Sequence, residues 1–384
     1  MRHEPIIRAL LVGIGLVLVC GLAPAQSPGV ALSSFTEADV RASRVVEHPP
    51  GSLPATPAAV FKGVDMRSLF IVVEAGDHHV TVFDGDRLEP IHRFASRGAL
   101  AGDPQFTPDG RYVFFASPDG WVSKFDLWNL SVVAQVRSGL HTHQLAISGD
   151  GKFLAVVNDL PNTLVLMDAD LQVLKMHTVK DKNGTTASRV SAVVDATARG
   201  SFIATLKDVA EVWELSYQKG AEDIPVGMVH DFQYKEGAFI PGFLNPRRTF
   251  LAEPMGDFFF STNYSELMGV RGEAGKGPVV NLDVRKRITD WSLPGMPQLP
   301  AGRAWHWQGR PLLPLPTLEK LTRIGSSLGK PPAHIAFTHY EKFALASLAE
   351  RKADGGALIV LDGATLKVIK RIPLDMPVGA YALP

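Results

Sequence analysis

Three histidines stand in settings where an imidazole could bind a metal ion or move a proton. His143 and His334 each begin a short, mainly apolar run, and His306 lies between two tryptophans. Imidazole is a common iron ligand and titrates near neutral pH, so each of the three could act as a metal ligand or exchange protons. The alternatives are a surface imidazole for His143, an aromatic core contact for His306 and a hydrogen-bonded structural residue for His334.

Three basic residues complete the set of candidate binding residues. Arg189 opens another such run, and its planar guanidinium could clamp a carboxylate, although a salt bridge between structural units would also account for it. Lys207 could face a ligand carboxylate or form a solvated ion pair with Asp208. Arg303 precedes His306 by three residues and adds a cation to that group. The two sets together supply imidazoles and cations, the groups that bind metals and carboxylates.

Several other chemistries find no support in the sequence. The chain has no Gly-x-x-x-x-Gly-Lys-Ser/Thr phosphate loop, no His-Glu-x-x-His zinc motif and no Gly-x-Ser-x-Gly nucleophile turn. Its 39 Lys and Arg balance 39 Asp and Glu. With no overall positive charge, nucleic acid is not an expected partner. His141 and His143 are two residues apart and could share a metal ion on one face of a strand, which is an alternative use of His143.

The N-terminus is typical of a secretory signal peptide. Arg2 and Arg8 precede the apolar run 9–21, and Ala23 and Ala25 supply the small residues that a signal peptidase accepts. The run is shorter than the ~20 residues that span a bilayer, so no transmembrane span is expected in the mature chain. We expect cleavage after Ala25, which defines residues 1–25 as the signal; a lipid anchor on Cys20 is the alternative. Cleavage would leave no Cys, and therefore no disulfide and no covalently attached c-type haem.

A repeat sets the expected architecture. Residues 26–62 are rich in Ser, Pro and Ala and predict an extended linker or surface arm. From residue 63 to 384, short β-rich runs recur and end at Asp84, Asp126 and Asp168, which are 42 residues apart. Counterparts end at 214, 283 and 362, with a less clear one near 318–323. Asp-Gly turns at 107–111 and 148–152 separate strands.

This period of about 40 residues with several strands per unit predicts an all-β protein, a β-propeller with seven units visible in the sequence. The longer interval from 214 to 283 holds either one blade and an insertion or two short blades. In a propeller the innermost strand of each blade lines the central axis. His143, Arg189, His334 and also Asp103 would then lie around one end of that axis.

Particular segments resemble a known family. They are similar to the cytochrome d1 domain of haem cd1 nitrite reductases and of the NirF haem d1 biosynthesis family. The segments are 107–112 and 119–128, 188–193, 206–213, 257–260, Leu293-Pro294-Gly295-Met296-Pro297 with Trp305-His306, 329–338 and 366–371. The resemblance covers about residues 67–380. It implies an eight-bladed propeller, which favours two short blades in the long interval.

The resemblance also implies a function. It implies a periplasmic protein that binds haem d1 or a late precursor in the central pocket and assists its maturation or delivery for nitrite reduction. Its partners would be other haem d1 biosynthesis proteins or nitrite reductase. An iron tetrapyrrole needs an imidazole for the metal, here His143 and His306, and polar groups for its carboxylates. The other candidate cofactor-binding residues are Arg189, Lys207, Arg303 and His334.

The chain departs from the family at several places. Residues 100–105, which align with the family's proximal iron ligand, contain no His, and the distal His expected near 250–253 is also absent. No haem c domain is present, so a self-contained nitrite reductase is not expected. A tetrapyrrole-modifying oxidoreductase step without a permanent cofactor is one alternative. A cofactor-free propeller that presents its face to a protein partner in the periplasm is the other.

Overall fold

Antiparallel four-stranded sheets follow one another along the chain in a computed structural model. The structure describes residues 35–231, 236–269, 276–292, 323–325 and 327–384. Within these residues six sheets have the meander order of propeller blades, and a separate two-stranded ribbon is also present. The β-propeller predicted from the repeat is confirmed. The count of eight blades stays a prediction, because residues 293–322 lie outside the described part of the chain.

Each blade runs from an inner strand at the axis to an outer strand at its edge. Blade I contains β27 (Pro377–Ala382), β2 (Phe70–Glu74), β3 (His79–Asp84) and β4 (Glu89–Ala95). Blade II contains β5 (Ala101–Phe106), β6 (Tyr112–Ala116), β7 (Trp121–Asp126) and β8 (Ser131–Arg137), with β1 (Val45–Val46) added outside β8. Blade III contains β9 (His141–Ile147), β10 (Phe153–Leu160), β11 (Asn162–Asp168) and β12 (Val173–Thr178).

The second half of the chain continues the same order. Blade IV contains β13 (Val190–Ala196), β14 (Ser201–Leu206), β15 (Glu211–Ser216) and β18 (Arg247–Phe250). Blade V contains β19 (Phe258–Phe260), β20 (Glu266–Gly269), β21 (Lys276–Asn281) and β22 (Lys286–Ser292). Blade VI contains β23 (His334–Phe337), β24 (Phe343–Leu348), β25 (Ala357–Asp362) and β26 (Val368–Pro373). The short helices are α1 (Glu37–Ala42) and the 3-10 turns Ala59–Phe61, Met66–Ser68, Thr197–Arg199, His339–Glu341 and Lys352–Asp354.

The repeated acidic residue has a structural cause. The six clear repeat runs are the third strands of the six blades. In four blades the Asp at the end of this strand folds the following turn: Oδ1 of Asp126 accepts the backbone N–H of Trp128 at 2.9 Å, and Asp84, Asp168 and Asp362 do the same in their turns. An Asp side chain that binds the backbone two residues on stabilises a turn. The repeat is therefore a repeat of turns; most of the run near 318–323 lies outside the described residues.

The two Asp-Gly turns join inner strands to their neighbours, as the sequence predicts. Gly110 and Gly151 have φ of +66° and +71°, and their N–H groups donate to Thr107 and Ser148 across each turn. A residue with a Cβ is disfavoured at such angles, which explains glycine at both positions.

The long interval between repeats holds an insertion. The ribbon β16 (Ile224–Asp231) and β17 (Glu236–Ile240) follows β15, and β18 then returns to pair with β15 as the outer strand of blade IV. Of the two arrangements considered for this interval, one blade with an insertion is correct, and two short blades are not formed. The insertion could not be recognised by its spacing, because a hairpin and a short blade have similar lengths.

The two ends of the propeller close the ring in one blade. β27, the last strand, pairs with β2, so that Ile71 lies opposite Tyr381 and Val72 opposite Ala380. Ile71, Val72 and Ala380 are completely buried. Hydrophobic contacts between the flat faces of neighbouring blades form the core, such as those of Phe202 and Trp213 between blades III and IV. Within the described residues no helix is long and apolar enough to cross a membrane.

The described part of the arm, residues 35–62, lies along the blades. Thr36 and Asp39 form a reciprocal capping box at the start of α1, and Val40 is buried against blades II and III. β1 then pairs with the outer strand β8. The Pro54 carbonyl accepts hydrogen bonds from Arg111 and Asn129 of blade II. The composition of this segment gave no indication of these contacts.

Candidate functional site

The inner strands of four blades are irregular near the ends where they begin. In β9, Thr142 pairs with Asn158 and Gln144 with Val157, so His143 has no partner of its own. The same kind of irregularity lies at Gly102–Pro104 in β5, at Ser191 in β13 and at Val378 in β27. A β-bulge bends its strand and redirects side chains, and bulges are enriched beside active sites. One end of the axis is therefore built differently from the regular ladders below it.

His143 and His141 share a single carboxylate. Nδ1 of His143 lies 3.3 Å from Oδ1 of Asp159, and Nδ1 of His141 lies 3.6 Å from Oδ2 of the same residue. Asp159 is itself skipped by the ladder between β9 and β10, since Asn158 pairs with Thr142 and Leu160 with His141, whereas on its other side it pairs with Asn162 of β11. Two opposed irregularities thus bring an imidazole and a carboxylate together at the end of blade III.

A buried polar network holds this end of blade III in place. Asn158 is completely buried, and its Nδ2 donates to the Ser138 carbonyl and to Thr163 Oγ1, both at 3.0 Å. Its Oδ1 accepts from the hydroxyls of Ser138 and Thr142. Thr142 and Asn158 directly precede His143 and Asp159, so the network fixes the backbone that carries the two functional groups.

Burial sets the charge state of His143. Its half-buried position lowers the pKa of the imidazole; the neighbouring Asp159 opposes this shift, and His141 adds to it. A neutral imidazole keeps a lone pair on one ring nitrogen and can bind a metal ion. His143 is therefore in the protonation state that a ligand needs at neutral pH.

A second group joins three inner strands at the same axis. The Tyr381 hydroxyl donates to Oδ1 of Asp103 at 2.9 Å, and the Tyr381 ring lies against His334 with ring centroids 4.6 Å apart. Asp103 belongs to β5, Tyr381 to β27 and His334 to β23. A phenol, a carboxylate and an imidazole in contact are groups that exchange protons.

The predicted cation Arg189 is engaged by a carboxylate of its own blade. Nη2 and Nε of Arg189 donate to the two carboxylate oxygens of Asp208 at 2.7 and 3.0 Å, and the Arg189 backbone N–H donates to Oδ2. These bonds lower the pKa of Asp208 to about 2. The pair lies within blade IV, so the salt bridge between blades considered as an alternative is not formed. Lys207 is exposed beside it.

The groups form one continuous arc. Gly102 lies against β9, where a Cβ would be 3.0 Å from the His143 carbonyl oxygen, and its φ is +67°. This contact places Asp103, the next residue, close to His143. On the other side of the His143 imidazole lies the backbone of Ser191, and Ser191 is two residues after Arg189 in the sequence. The order around the axis is thus His334, Tyr381, Asp103, His143 and Arg189. We refer to these five residues as the polar arc.

Sequence reasoning placed part of this site. His143, His334 and Arg189, with Asp103, lie at one end of the axis as expected, whereas Arg303 and His306 lie outside the described residues. Asp159 and Tyr381 were missed. Asp159 ends a strand like many other acidic residues, and Tyr381 reaches the axis only because β27 closes the ring. No cluster of three metal-binding side chains occurs among the residues that the structure describes.

Comparison with known proteins identifies the family. The family model of the cytochrome D1 heme domain matches residues 64–312. A dihydro-heme d1 dehydrogenase of Pseudomonas aeruginosa is 38% identical over 418 aligned residues, which cover 94% of this chain and 78% of that protein. The chain belongs to the cytochrome d1 haem domain family. This confirms the family predicted from the sequence motifs.

Other relatives refine the position of this cytochrome d1 domain within the family. The solved structure of dihydro-heme d1 dehydrogenase NirN in complex with DHE matches with a TM-score of 0.72 and 35% identity, covering 94% of this chain and 83% of that one. NirF proteins of Stutzerimonas stutzeri and Pseudomonas aeruginosa are 29% and 28% identical, over 40% of this chain and 40% and 39% of theirs. The expected NirF-like character is thus corrected: the likeness to the dehydrogenase spans far more of the chain.

Proposed function

We propose that this cytochrome d1 domain acts in haem d1 biosynthesis, binding a dihydro-haem d1 tetrapyrrole at the polar arc and oxidising it to haem d1. The observation that carries the proposal is the arc itself, in which four inner strands and Arg189, the residue before a fifth, bring imidazole, carboxylate, phenol and guanidinium groups to one end of the axis. The likeness to a dihydro-heme d1 dehydrogenase over 94% of the chain supports it.

The described residues fit the chemistry of such a substrate. His143 supplies a neutral imidazole for the iron. Arg189 and Lys207 supply cations for the carboxylate groups that a tetrapyrrole carries at its edge, and planar guanidinium and carboxylate groups match in two hydrogen bonds. Arg189 would exchange Asp208 for the ligand or bind both together. We propose that His306 and Arg303, which lie outside the described residues, complete the site as a second iron ligand and a further cation.

The group of Asp103, Tyr381 and His334 would handle protons. Dehydrogenation removes two hydrogen atoms, equivalent to two protons and two electrons. His334 can receive one proton, and the Tyr381 hydroxyl, which donates to the Asp103 carboxylate, can accept the second while it passes its own hydrogen to Asp103. The two electrons pass one at a time to two equivalents of an external one-electron acceptor, for which a redox protein is the natural class. His334 thereby has a role at the substrate edge and not at the iron.

The proposal is tested by binding and turnover in the same preparation. The chain, produced with its own N-terminal segment, is titrated with dihydro-haem d1 and followed by absorption, and conversion is measured with a one-electron acceptor dye. We expect a saturable spectral change and conversion to haem d1. Binding without conversion would support a carrier. No spectral change with a folded protein would refute tetrapyrrole binding and favour a cofactor-free propeller that binds a protein partner.

We also propose that the protein is exported to the periplasm, which residues 1–25 support through their charged start, apolar run and small residues near Ala25. Haem d1 biosynthesis proteins or nitrite reductase would then be its partners. Mass spectrometry of protein from the periplasmic fraction tests this. A chain beginning at Gln26 is expected; a lipid-modified Cys20 would support the anchor, and an intact Met1 would refute processing.

A further inference from the structure

We propose that Asp159 is a positioning residue for His143. Nδ1 of His143 is buried, makes no hydrogen bond in this structure and lies 3.3 Å from Asp159 Oδ1. Asp159 would accept the Nδ1 hydrogen when the tetrapyrrole binds, which leaves Nε2 as the ring nitrogen for the iron. The inference rests on the proposed function and extends it to a residue outside the polar arc. It assigns Asp159 a role through His143, without contact between Asp159 and the substrate.

The backbone is arranged to bring these groups together. β9 and β10 depart from regular pairing at two adjacent points, one that leaves out His143 and one that leaves out Asp159. Each irregularity weakens the ladder, and an irregular ladder is stable here because the Asn158 network satisfies the buried polar groups beneath it. The result of this irregular pairing between β9 and β10 is that Asp159 lies close to two imidazoles.

The geometry restrains both the carboxylate and the imidazole. Each oxygen of Asp159 faces the Nδ1 of a different histidine, at 3.3 Å for His143 and 3.6 Å for His141. A hydrogen bond from Nδ1 of His143, which has no hydrogen-bond partner in this structure, would restrain the carboxylate and the imidazole together. A metal-binding imidazole commonly gives its other N–H to a carboxylate, which fixes the tautomer and the ring orientation. His141, more exposed than His143, serves here as the second restraint on Asp159.

An alternative use of the three residues is a separate metal site of their own. Within the part of the chain that the structure describes, no three His, Cys, Asp or Glu side chains form a group that could hold a metal ion, and His141, His143 and Asp159 are among the residues described. The arrangement therefore favours the carboxylate and imidazole pair.

The test compares five variants in titrations with haem d1 followed by absorption. His143→Ala should lose the iron-ligand spectrum of the wild type and regain it with added imidazole. Asp159→Ala should weaken binding about 10–100-fold and shift the iron bands, the usual effect of removing a carboxylate behind a metal-binding histidine. Asp159→Asn keeps an acceptor oxygen and should remain closer to the wild type. His141→Ala should have a smaller effect than Asp159→Ala.

Asp150→Asn is the matched control, because Asp150 lies at the opposite end of blade III in the turn before β10. It should bind like the wild type. Circular dichroism checks folding, and Asp159→Ser replaces Asp159→Ala if the latter is misfolded. Unchanged spectrum and affinity in the Asp159 variant would overturn the inference, as would wild-type binding by His143→Ala. If the wild-type chain itself does not bind haem d1, the proposed function fails, which is a distinguishable result.

Discussion

Replacing Asn158 by alanine should destabilise the protein and weaken its ligand binding together. Asn158 is completely buried and makes four hydrogen bonds to Ser138, Thr142 and Thr163. A buried hydrogen bond contributes about 0.5–1.5 kcal/mol net, and the partners left behind keep some bonds of their own. We therefore expect a loss of about 3 kcal/mol in the free energy of unfolding.

Urea unfolding followed by circular dichroism measures this loss. Thr142→Val removes one of the four bonds of Asn158 and the contact between the Thr142 and Ser138 hydroxyls, and it should cost about 1 kcal/mol. The double variant should lose less than the sum because the two side chains share a bond. Asn162→Ala, at a partly exposed position of β11, is the control and should stay within about 0.5 kcal/mol of the wild type. A loss below ~1 kcal/mol for Asn158→Ala, with an unchanged urea dependence, would refute the network as described. The affinity for haem d1 should also fall in Asn158→Ala, because loss of the network should displace Asp159, the residue that follows Asn158.

Three further predictions concern other parts of the site and the fold. Tyr381→Phe removes the hydrogen bond to Asp103 and should reduce conversion of dihydro-haem d1 at least tenfold with little effect on binding; equal conversion rates would exclude a proton-transfer role for the hydroxyl. Deletion of residues 377–384 should prevent folding, because β2 loses its inner partner in blade I, and circular dichroism of the purified chain would detect a folded product if this is wrong. The pKa of Asp208 is lowered to about 2 in the folded state, so its pair with Arg189 should stabilise the protein above about pH 4 and lose this effect as the pH falls toward 2. Both side chains are exposed by more than a third, so the difference in stability between wild type and Asp208→Asn should be small. A difference that grows on acidification would contradict the assignment.

The sequence predicts features that depend on residue type at fixed spacing. The turn carboxylates Asp84, Asp126 and Asp168 repeat because each turn needs the same side chain, and the glycines of the Asp-Gly turns repeat because the backbone needs positive φ. These constraints are local, so they are visible without a structure. They were sufficient to predict a propeller and the end of the axis at which His143 and His334 lie.

The remaining features depend on pairing and not on residue type. A β-bulge at His143 leaves no composition signal, because the same residues could form a regular ladder. Asp159 approaches His143 across two strands, and Tyr381 approaches Asp103 from the far end of the chain. The choice between an insertion and two short blades was also a question of pairing. A sequence pattern reports which face a residue occupies, but not which distant strand lies beside it.

The closure of the ring by β27 and β2 has a consequence for the order of events in folding. The two strands are about 300 residues apart in sequence. The free-energy cost of the entropy lost in joining chain ends over that length is on the order of 5 kcal/mol, which the contacts between the strands must offset. Tyr381 and Asp103 lie on opposite sides of this seam. The polar arc is therefore complete only after the last strand is in place. A ligand that contacts both sides of the seam stabilises the closed ring by RT ln(1 + [L]/Kd), which rises with the logarithm of its concentration relative to Kd. Tetrapyrrole binding would thus stabilise the pairing of β27 with β2 after folding. Loss of the ligand would remove that stabilisation from the contacts between the two ends of the chain.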